Sequence, residues 1–597
     1  MTLLDLIVDF LLNPWFILSL MFWVIVIFFV FLLRNKKEAY TLFFPLLAMF
    51  KTKKLNNLIY RISKKSPRFW RVFWNIGIFV SFGFTIYGFY FFFTNIVNLL
   101  FQPSIEYAIV PLIPGVTIDL PIFFYLLLPL LFIVTTHEFA HGISANNDGV
   151  EIKSTGVLGA GLFFLVGFGA FVEVDERKLR SSKFKRNTRF RIAAAGTFVN
   201  AITAAVAFIF ILGFPTLISP FYVQVTQVYS VLTPQNGGYN YGNLESGDAL
   251  VAIKHQNDPD NLFLDLDLNN GISLTSVLSN STRVKFSIGE NLTFYTYNPS
   301  SDSYTEKNVT VGPRYDIGIR YNYIPNGTGL IITYNYSSSS ETNILISKVN
   351  GTAIDTSSGD TLELLLTDFN LKALNLSTDT GKDYILDVAI VGAFIGVQSN
   401  SYWMHKNDFA KFFTSNWPDF LIKELLWLFI ISFSITIFNM MPLPIFDGDR
   451  LLKELINWIF GENYSTKKKK IDRLIYKGTD TECKLTEYRV ENIDYVKILM
   501  KEDDRSDQDG EILLANDKYE LIDSIGDGFK DTVSVKLPQT TNLKKNSVFE
   551  VSFEYWYDNK RKIKNIVLNG VRIVALSLIL GNFILSGFLF GFDLFGF

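Results

Sequence analysis

The chain alternates between long apolar runs and strongly polar stretches, and the apolar runs are long enough to cross a membrane. A helix needs about 20 apolar residues to span roughly 30 Å of hydrocarbon. Runs near this length occur at 16–33, 72–93, 120–141, 192–214, 421–441 and 571–592. A shorter apolar segment, 42–50, is too brief to span, and we expect it to lie at the membrane interface. The pattern predicts a polytopic α-helical membrane protein with about six transmembrane helices.

Positive charge is distributed unevenly among the polar loops, and this asymmetry predicts how the spans are oriented. Lys and Arg are dense in residues 34–71, 173–191 and 449–473, whereas 94–119 and 215–420 carry fewer. Because cytoplasmic loops carry the excess of basic residues, we expect the first three loops on the cytoplasmic side. Six crossings with an external N-terminus satisfy all of these loops, and the large loop is then extracytoplasmic.

Glycosylation acceptors are concentrated in the loop that the charge rule places outside. Asn-X-Ser/Thr sequons begin at Asn280, Asn291, Asn308, Asn326, Asn335, Asn350 and Asn375. Because such sequons are modified on exported surfaces, they support the same orientation. The alternative is that an Asn- and Ser-rich composition produces them by chance. The sequon at Asn463 lies in a predicted cytoplasmic loop and should stay unmodified.

Two polar regions between the spans carry strand-like patterns. Residues 330–334, 495–499 and 548–553 alternate apolar and polar side chains, which is typical of half-buried strands. We therefore expect an extracytoplasmic β-rich domain and a small cytoplasmic β-rich domain. The predicted segments are 1–71 (anchor helix and basic loop), 72–214 (membrane core), 215–420 (extracytoplasmic), 421–450 (membrane helix), 451–566 (cytoplasmic) and 567–597 (C-terminal transmembrane helix).

Composition narrows the available chemistry. The chain of 597 residues is 49% hydrophobic with a net charge of −2, and its mean hydropathy is +0.24. These values fit a membrane protein with soluble parts and give no reason to expect a nucleic-acid partner. Cys483 is the only cysteine, which excludes an intramolecular disulfide and a cysteine-cluster metal site. A metal ion would have to be held by His, Asp or Glu.

The third apolar run ends in the HExxH motif His137-Glu138-Phe139-Ala140-His141. On a helix, positions i and i+4 share one face, so the two histidines can bind one metal ion, and Glu138 can reach a water beside it. A zinc-hydrolase motif in a membrane span indicates peptide-bond hydrolysis within the bilayer. The alternative is a chance pair of core histidines beside a helix carboxylate.

A zinc site needs a third protein ligand, and Asp447 is the best candidate. Catalytic zinc sites use three protein ligands and an open position, and charged groups at membrane depth are usually functional. Asp447 follows the fifth apolar run, after Pro442 and Pro444 break the helix. By the charge rule it lies at the same cytoplasmic depth as the histidines. The alternative is that Asp447-Gly448 forms only a turn after the helix.

Together these motifs resemble the site-2 protease family of intramembrane zinc metalloproteases. The segments that carry the resemblance are His137-Glu138-x-x-His141, Asn439-x-x-Pro442 with Asp447-Gly448, Pro114-Gly115-Val116, Gly169-Ala170-Phe171-Val172-Glu173 with Asp175-Glu176, and Gly196-x-x-x-Asn200. They cover the spans around 110–215 and 421–450. The long external insertion, the extra N-terminal spans and the domain near 474–565 depart from the family pattern.

The resemblance implies a metalloendopeptidase that cleaves transmembrane protein substrates in regulated intramembrane proteolysis. His137, His141 and Asp447 would be the ligands of Zn²⁺. Glu138 would take a proton from water and later deliver it to the leaving amine. The oligomeric state does not follow from the sequence.

Four further residues are implied contacts of the substrate or the oxyanion: Asn200, Asn439, Gly169 and Phe171. For Asn200 the alternative is packing between membrane helices, and for Asn439 it is capping of its own helix. Gly169 and Phe171 belong to the glycine- and aromatic-rich segment 155–174, which predicts a hairpin dipping into the membrane. In the family, the edge strand of this region pairs with extended substrate. A loop at the membrane surface is the alternative for this segment.

The external region also carries a resemblance to PDZ domains. Leu244-Glu245-Ser246-Gly247-Asp248 and the following apolar run are similar to the Gly-Asp core of a PDZ domain, and Val349-Asn350-Gly351 is similar to the turn that usually follows. Their wide separation indicates either an insertion or two degenerate copies. In the family, such domains restrict substrate access.

Two other functions stay open at the level of sequence: a metal-ion transporter, and a catalytically silent relative that binds membrane segments without cutting them. The transporter explains intramembrane His and Asp but not Glu138 or the Asp-Gly signature. The presence of all presumed ligands argues against the silent relative. Lys467–Lys470 form a basic run beside the membrane, which we expect to be attracted to anionic lipid headgroups of the bilayer.

Overall fold

The computed structural model describes most of the chain, and it divides the chain into two compact units. The residues that it does not describe are 1–10, 37–38, 114–116, 163–164, 175–178, 180–183, 237, 256–263, 279–286, 318, 325–328, 336–343, 356–360, 367, 369–370, 379–380, 476–481, 488, 500–510, 525–527, 536–547 and 592–597. One unit comprises Met1–Phe210 and Lys423–Phe597, and the other comprises Ile211–Ile422. The motifs at 114–116 and 175–176 and the sequons at Asn280 and Asn326 lie outside the described residues.

Six of the described α-helices are long and apolar enough to cross a membrane. The described helices are α1 (Pro14–Leu32), α2 (Lys54–Lys65), α3 (Pro67–Phe101), α4 (Leu120–Asn147), α5 (Arg186–Ile218), α6 (Leu274–Leu278), α7 (Leu362–Leu365), α8 (Asp408–Phe413), α9 (Trp417–Met440), α10 (Asp447–Phe460) and α11 (Arg561–Phe590). The candidate spans are α1, α3, α4, α5, α9 and α11, which confirms the predicted set. Several extend past the predicted bounds, because apolar runs mark only the part of a helix that hydrocarbon surrounds.

A four-stranded antiparallel sheet lies beside the membrane helices. Its strands are β1 (Tyr40–Phe43), β2 (Leu47–Thr52), β3 (Ile152–Leu162) and β4 (Leu165–Val174), in that order. The predicted hairpin is confirmed as β3 and β4, and its depth in the membrane stays a prediction. The apolar segment 42–50 contributes to β1 and β2, which the sequence did not indicate. Its pairing with β3 satisfies backbone groups that would otherwise be exposed along that edge.

Glycines in β3 allow α1 to pack tightly against this sheet. A Cβ added to Gly159 or Gly161 would lie 2.7 Å or 2.5 Å from ring atoms of Phe22 in α1. Next to it, the Trp23 indole N–H donates to the carbonyl oxygen of Gly161 at 2.7 Å. The N-terminal helix, which departs from the family pattern, therefore supports the hairpin.

The segment predicted as a basic loop, 34–71, also contains the helix α2. Its buried residue Ile59 lies against Gly142 of α4, where an added Cβ would come within 3.0 Å of the isoleucine side chain. Lys54 and Arg61 are exposed on the same helix. The helix is therefore amphipathic, with its apolar side on the HExxH helix and basic side chains outward.

The second unit contains two separate β-sheets and a short ribbon. The strands of the first sheet are β5 (Tyr222–Val231), β6 (Ala249–His255), β7 (Leu264–Asp265), β8 (Asn291–Asn298), β9 (Ser303–Thr310) and β18 (Val397–His405). The second sheet comprises β11 (Ile319–Tyr323), β12 (Leu330–Asn335), β13 (Ile344–Val349), β14 (Thr352–Ala353), β15 (Ala373–Thr378) and β16 (Asp383–Asp387). The ribbon pairs β10 (Gly312–Asp316) with β17 (Ala389–Phe394).

The two PDZ-like motifs belong to different sheets with different cores. Gly247-Asp248 leads into β6, whose core includes Leu250 and Phe294. Val349-Asn350-Gly351 forms the turn between β13 and β14, whose core includes Leu330 and Leu376. The second sheet is inserted between β9 and β18 of the first. The interpretation as one PDZ core split by an insertion is therefore wrong, because each motif has its own hydrophobic core. Whether either sheet is a PDZ domain stays a prediction.

The predicted domain between α10 and α11 is β-rich, as expected. One sheet has the order β19 (Thr466–Ile475), β25 (Val548–Tyr557), β21 (Val490–Leu499) and β22 (Glu511–Leu513), and the other has β20 (Glu482–Lys484), β24 (Thr532–Val535) and β23 (Tyr519–Ile522). Buried Val496, Phe549 and Val533 share one core, which joins the two sheets. The side of the membrane on which this domain lies stays a prediction.

The basic run at the start of this domain has partners within the protein. The contacts are Lys467 with Glu491 at 2.7 Å, Lys469 with Asp494 at 3.1 Å, Lys470 with Glu487 at 3.0 Å, and Lys468 over the Tyr557 ring at 3.6 Å. Because these contacts engage all four lysines, the run is less available to lipid headgroups than its sequence indicates.

An ion pair between a buried carboxylate and a partly exposed arginine joins α10 to the last membrane helix. The Arg572 guanidinium donates from Nε to Asp449 Oδ1 at 2.7 Å and from a terminal nitrogen to Asp449 Oδ2 at 2.8 Å. Lys453 lies 2.6 Å from the same carboxylate. Burial, the largest single influence, opposes ionisation of Asp449, but the hydrogen bonds and charges of Arg572 and Lys453 together outweigh it and lower the pKa of Asp449 below its ordinary value.

Candidate metal centre

The side chains of His137, His141 and Asp447 converge at one point. The two Nε2 atoms are 3.1 Å apart, and Asp447 Oδ2 lies 3.2 Å from Nε2 of His137 and 3.3 Å from Nε2 of His141. All three residues are almost completely buried. Helix geometry brings the histidines together, whereas only the tertiary fold brings a residue about 300 positions downstream to the same point.

These separations fit a tetrahedral metal ion. Two ligand atoms about 2.0–2.1 Å from one zinc ion at tetrahedral angles lie roughly 3.3–3.4 Å apart, close to the observed 3.1–3.3 Å. The donor set of two imidazole nitrogens and one carboxylate oxygen is typical of catalytic zinc, which keeps a fourth position open. Among the described residues, His137, His141 and Asp447 form the one group of three or more His, Cys, Asp or Glu whose ligand atoms are close enough to share an ion.

One face of α5 orients both imidazoles. The Nδ1–H of His141 donates to the carbonyl oxygen of Ile192 at 2.7 Å, which leaves Nε2 as the metal-binding atom. The side-chain amide of Asn200 lies 3.0 Å from Nδ1 of His137. Ile192 and Asn200 are eight residues apart, two helical turns, so they share a face of α5.

The amide of Asn200 has one orientation that suits a metal-binding His137. That role requires a proton on Nδ1, which donates to an acceptor. A half-turn of the amide directs Oδ1 toward Nδ1, and Oδ1 is otherwise a fully buried atom with no hydrogen-bond partner among the described residues. Asn200 thus lies behind the metal-binding atom of His137, and its predicted contact with the oxyanion or substrate stays a prediction.

Gly196 lies between these two contacts, on the same face of α5. A Cβ added there would lie 2.5 Å from Nε2 of His137 and 2.5 Å from Nε2 of His141. Only glycine therefore allows α5 to approach the two ligand atoms this closely.

The loop before α10 places Asp447. Gly448 packs against the end of α9, where an added Cβ would lie 2.3 Å from the carbonyl oxygen of Met440. The hydroxyl of Thr197 donates to Asp447 Oδ2 at 3.1 Å. Ile445 has a φ of +89° and is 94% exposed. A β-branched residue is strained at such a φ, so the loop holds the carboxylate in position at the expense of local backbone energy.

Glu138 lies between the metal site and the edge of the sheet. The backbone N–H of Val172 in β4 donates to Glu138 Oε2 at 2.9 Å. This bond engages one carboxylate oxygen and leaves the other for a proton. The same hydrogen bond shows that the backbone N–H of Val172 points away from β3. Because backbone groups alternate in direction along a strand, the directions of the neighbouring groups in β4 follow from it.

Gly169 and Phe171 have their backbone groups directed toward β3, since the N–H of Val172 points the other way. By the same alternation, the N–H and C=O of Ala170 point outward, and they have no partner among the described residues. The free edge therefore belongs to the neighbour of the two predicted residues. Asn439 lies in the last turn of α9 and is partly buried, without a side-chain hydrogen bond to the described residues.

Several residues of the site carry no role in the sequence interpretation: Ile192, Thr197, Val172, and Gly196 as the point of close approach. The spacing of four between Ile192, Gly196 and Asn200 is a usable signal, because it puts all three on one helix face. The contacts of Thr197 and Val172 have no such signal, since they depend on a distant loop and on strand direction.

Comparison with known proteins places this geometry in a family. The family profile described as peptidase family M50 matches residues 125–476, more than half of the chain and a range that includes His137, Glu138, His141 and Asp447. The chain belongs to peptidase family M50. The resemblance to the site-2 proteases is thereby confirmed.

Similarity to individual relatives covers shorter parts of this M50 peptidase. It is 26% identical over 156 residues to the membrane-bound transcription factor site-2 protease homolog of Arabidopsis thaliana, covering 26% of the chain and 29% of the relative. It is 37% identical over 95 residues to an uncharacterised protein of Methanocaldococcus jannaschii, covering 16% of the chain and 21% of the relative. The chain thus matches less than a third of the length of each relative.

Proposed function

We propose that this protein is an intramembrane zinc metalloprotease that hydrolyses peptide bonds in or near transmembrane segments of other proteins. The observation that carries the proposal is the convergence of His137, His141 and Asp447 beside Glu138, at the end of a span-length apolar helix. We further propose that the site lies near the cytoplasmic side and that the second unit is extracytoplasmic. Both follow from the distribution of Lys and Arg.

Each residue of the site has its own proposed chemical role. His137, His141 and Asp447 would hold Zn²⁺, which supplies Lewis-acid polarisation of a carbonyl and lowers the pKa of water at the site. Glu138 takes a proton from the attacking water through the oxygen that Val172 does not occupy, and it delivers that proton to the leaving amine. Asn200 and Ile192 hold the imidazoles in the required tautomer. Asn439 stays a candidate for contact with the substrate.

Substrate must reach the site as an extended chain, because a helical peptide bond is shielded and internally hydrogen-bonded. The outward N–H and C=O of Ala170 offer a pairing edge on β4, two residues from the amide that contacts Glu138. A substrate strand added there would continue the sheet order β1-β2-β3-β4 by β-augmentation. The proposal therefore places the scissile bond of a locally unwound segment beside the carboxylate.

The direct test uses the purified full-length chain and a single-span reporter protein in detergent or nanodiscs. Glu138→Gln should abolish cleavage while zinc content stays at the wild-type level, because the carboxylate is not a metal ligand. The exposed Glu106, far along the chain from the motif, provides a matched Glu106→Gln control that should cleave normally. Normal cleavage by a zinc-loaded Glu138→Gln would refute the mechanism. Metal flux without cleavage by the wild type would instead indicate a transporter.

The pairing edge has its own test. Ala170→Pro removes the outward N–H without breaking the ladder to β3, since proline is tolerated at the solvent side of an edge strand. We expect it to retain zinc and to cleave the reporter at least about tenfold more slowly, a loss consistent with one or two backbone hydrogen bonds. Unchanged cleavage would show that the substrate does not pair with β4, but it would not contradict the proposed metal site. A catalytically silent relative would show no cleavage in any variant.

A further inference from the structure

A continuous surface of aromatic rings lies in the second unit, beside the short helix α8. Neighbouring rings of this surface have centroids 5.1–5.6 Å apart. Phe409 is 62% exposed and Phe412 is 80% exposed, so the surface faces outward from the protein. It plays no part in the chemistry proposed above. The rings, which we name the aromatic plate, belong to Phe221, Phe409, Phe412, Phe413, Trp417 and Phe420.

The helix α8 presents three of these rings along one side. Because each residue advances an α-helix by about 100°, Phe409, Phe412 and Phe413 fall within roughly 100° of one another. Ala410 is buried on another side of the helix, and Lys411 forms an ion pair with the turn between β8 and β9. The helix is therefore amphipathic, with an apolar side directed away from the protein and a basic side chain elsewhere.

Two candidate spans end beside the plate, and they indicate its level in the bilayer. The Trp403 ring of β18 packs against Phe214 near the end of α5, with centroids 6.1 Å apart. Its indole N–H donates to Asp419 in the first turn of α9 at 2.8 Å. Trp417 and Phe420 of the plate lie in that same turn, directly before the apolar run of α9. Because aromatic side chains at the ends of spans lie at the headgroup level, the rings that continue from this turn should lie there too.

Hydrogen bonds hold α8 against the first sheet of the unit. The hydroxyl of Tyr222, at the start of β5, lies 2.8 Å from the carbonyl oxygen of Ala410 and 2.9 Å from that of Thr414. The side chain of Asn407 caps α8 by accepting from the Ala410 backbone N–H at 2.9 Å, and its amide donates to the carbonyl oxygen of Pro220 at 3.2 Å. The helix cannot turn its rings inward without breaking these contacts, so whatever binds the plate also holds the start of β5 in place.

We propose that the aromatic plate is a membrane anchor, which lies in the plane of the bilayer interface and holds the first sheet of the second unit against the lipid surface. Short amphipathic helices with Phe and Trp on one side take this position, with the apolar side about 5–10 Å deep at the boundary between headgroups and acyl chains. An exposed apolar patch can also bind protein. Lipid is the occupant here because the plate continues without a break onto the first turn of a candidate span.

The test measures the position of α8 in the purified full-length chain, in phosphatidylcholine nanodiscs and without reference to cleavage. Cys483→Ser removes the only cysteine of the chain, and Phe412→Cys then carries an environment-sensitive fluorophore. One quencher is a phosphatidylcholine with a doxyl group on the acyl chain close to the headgroup, and the other is iodide in the aqueous phase. We expect the doxyl lipid to quench the Phe412→Cys label strongly and iodide to quench it weakly.

Matched variants locate the anchor. Ile385→Cys is the control for the label, because Ile385 is also apolar and is 75% exposed but belongs to the second sheet. Its label should be quenched by iodide and not by the doxyl lipid. A label at Asp408→Cys, which is exposed on α8, reports the effect of removing rings. Phe409→Gln with Phe412→Gln should shift the quenching of that label from lipid to iodide, whereas Ile385→Gln with Val391→Gln should leave it unchanged.

Three outcomes would overturn the proposal. Equal quenching by iodide of the Phe412→Cys and Ile385→Cys labels would show that the plate lies in water. Protection of the Phe412→Cys label from both quenchers would show that protein covers the plate, as in contact with a second copy of the chain. Unchanged lipid quenching of the Asp408→Cys label after loss of both rings would show that the rings do not hold α8 at the bilayer. None of these outcomes bears on the proposed protease, whose test is the Glu138→Gln comparison.

Discussion

Replacing Gly196 by alanine tests the metal centre most sharply, because the change adds one methyl group at a defined place. The added Cβ would lie 2.5 Å from Nε2 of both His137 and His141. An ordinary contact is roughly 3.5 Å, so each imidazole would have to retreat by about 1 Å. The rings cannot rotate away easily, since Ile192 and Asn200 of the same helix hold their Nδ1 atoms.

The opposing effect of this substitution is small. Alanine favours a helix over glycine by up to roughly 1 kcal/mol, which would slightly stabilise α5. A displacement of about 1 Å at a reacting centre can cost about 10²-fold in rate, and disturbing the support of a metal ligand typically costs 10–100-fold in affinity. We therefore expect Gly196→Ala to fold, to lose zinc during dialysis that leaves the wild type loaded, and to cleave at least about 100-fold more slowly.

Gly213 provides a matched control on the same helix. A Cβ added there meets only Leu217, at 3.9 Å. Gly213→Ala should keep zinc and cleavage at wild-type levels and should be equally or more stable. The measurements are zinc content after dialysis, reporter cleavage and thermal unfolding. Full zinc affinity and a wild-type rate in Gly196→Ala would refute the close packing of α5 on the imidazoles.

Three further predictions concern the surroundings of the site. Asn200→Ala should weaken zinc binding by about 10–100-fold. Asn200→Asp should restore part of the affinity, because a carboxylate also accepts a hydrogen bond from His137. Equal zinc affinity of the wild type and both variants, measured by competition with a chelator, would show that Asn200 does not support His137. Ile445→Gly should raise the free energy of unfolding by about 1 kcal/mol, measured by thermal unfolding, because glycine relieves backbone strain at φ +89°. A loss of stability in this variant would contradict strain at Ile445. Arg572→Gln should destabilise the fold by about 1–3 kcal/mol at neutral pH, because Asp449 loses its charge-assisted hydrogen bonds from Arg572 but keeps Lys453 as a partner. Because the pKa of Asp449 is lowered in the folded state, this contribution is present above its unfolded pKa and is lost as pH falls through the folded value, so the difference between variant and wild type should shrink in acid.

Much of the membrane architecture could be predicted from the sequence. The lengths of six apolar runs follow from the thickness of hydrocarbon, and the hairpin at 155–174 follows from glycine and aromatic patterning; both are confirmed. The prediction for 42–50 missed the strands, because pairing with β3 depends on a partner 100 residues away. The sequence leaves open whether the two PDZ-like motifs belong to one core split by an insertion or to two degenerate copies, because sequence similarity does not show which strands share a sheet.

The sequence by itself determined what local periodicity can determine. His137 and His141 share a helix face because 3.6 residues make a turn, and Ile192, Gly196 and Asn200 share another for the same reason. The tertiary structure alone decided that these two faces meet, that Asp447 joins them, and that the backbone N–H of Val172 contacts Glu138. Such contacts depend on how distant segments pack and on which way a strand's backbone groups point, and neither leaves a periodic signal in the chain.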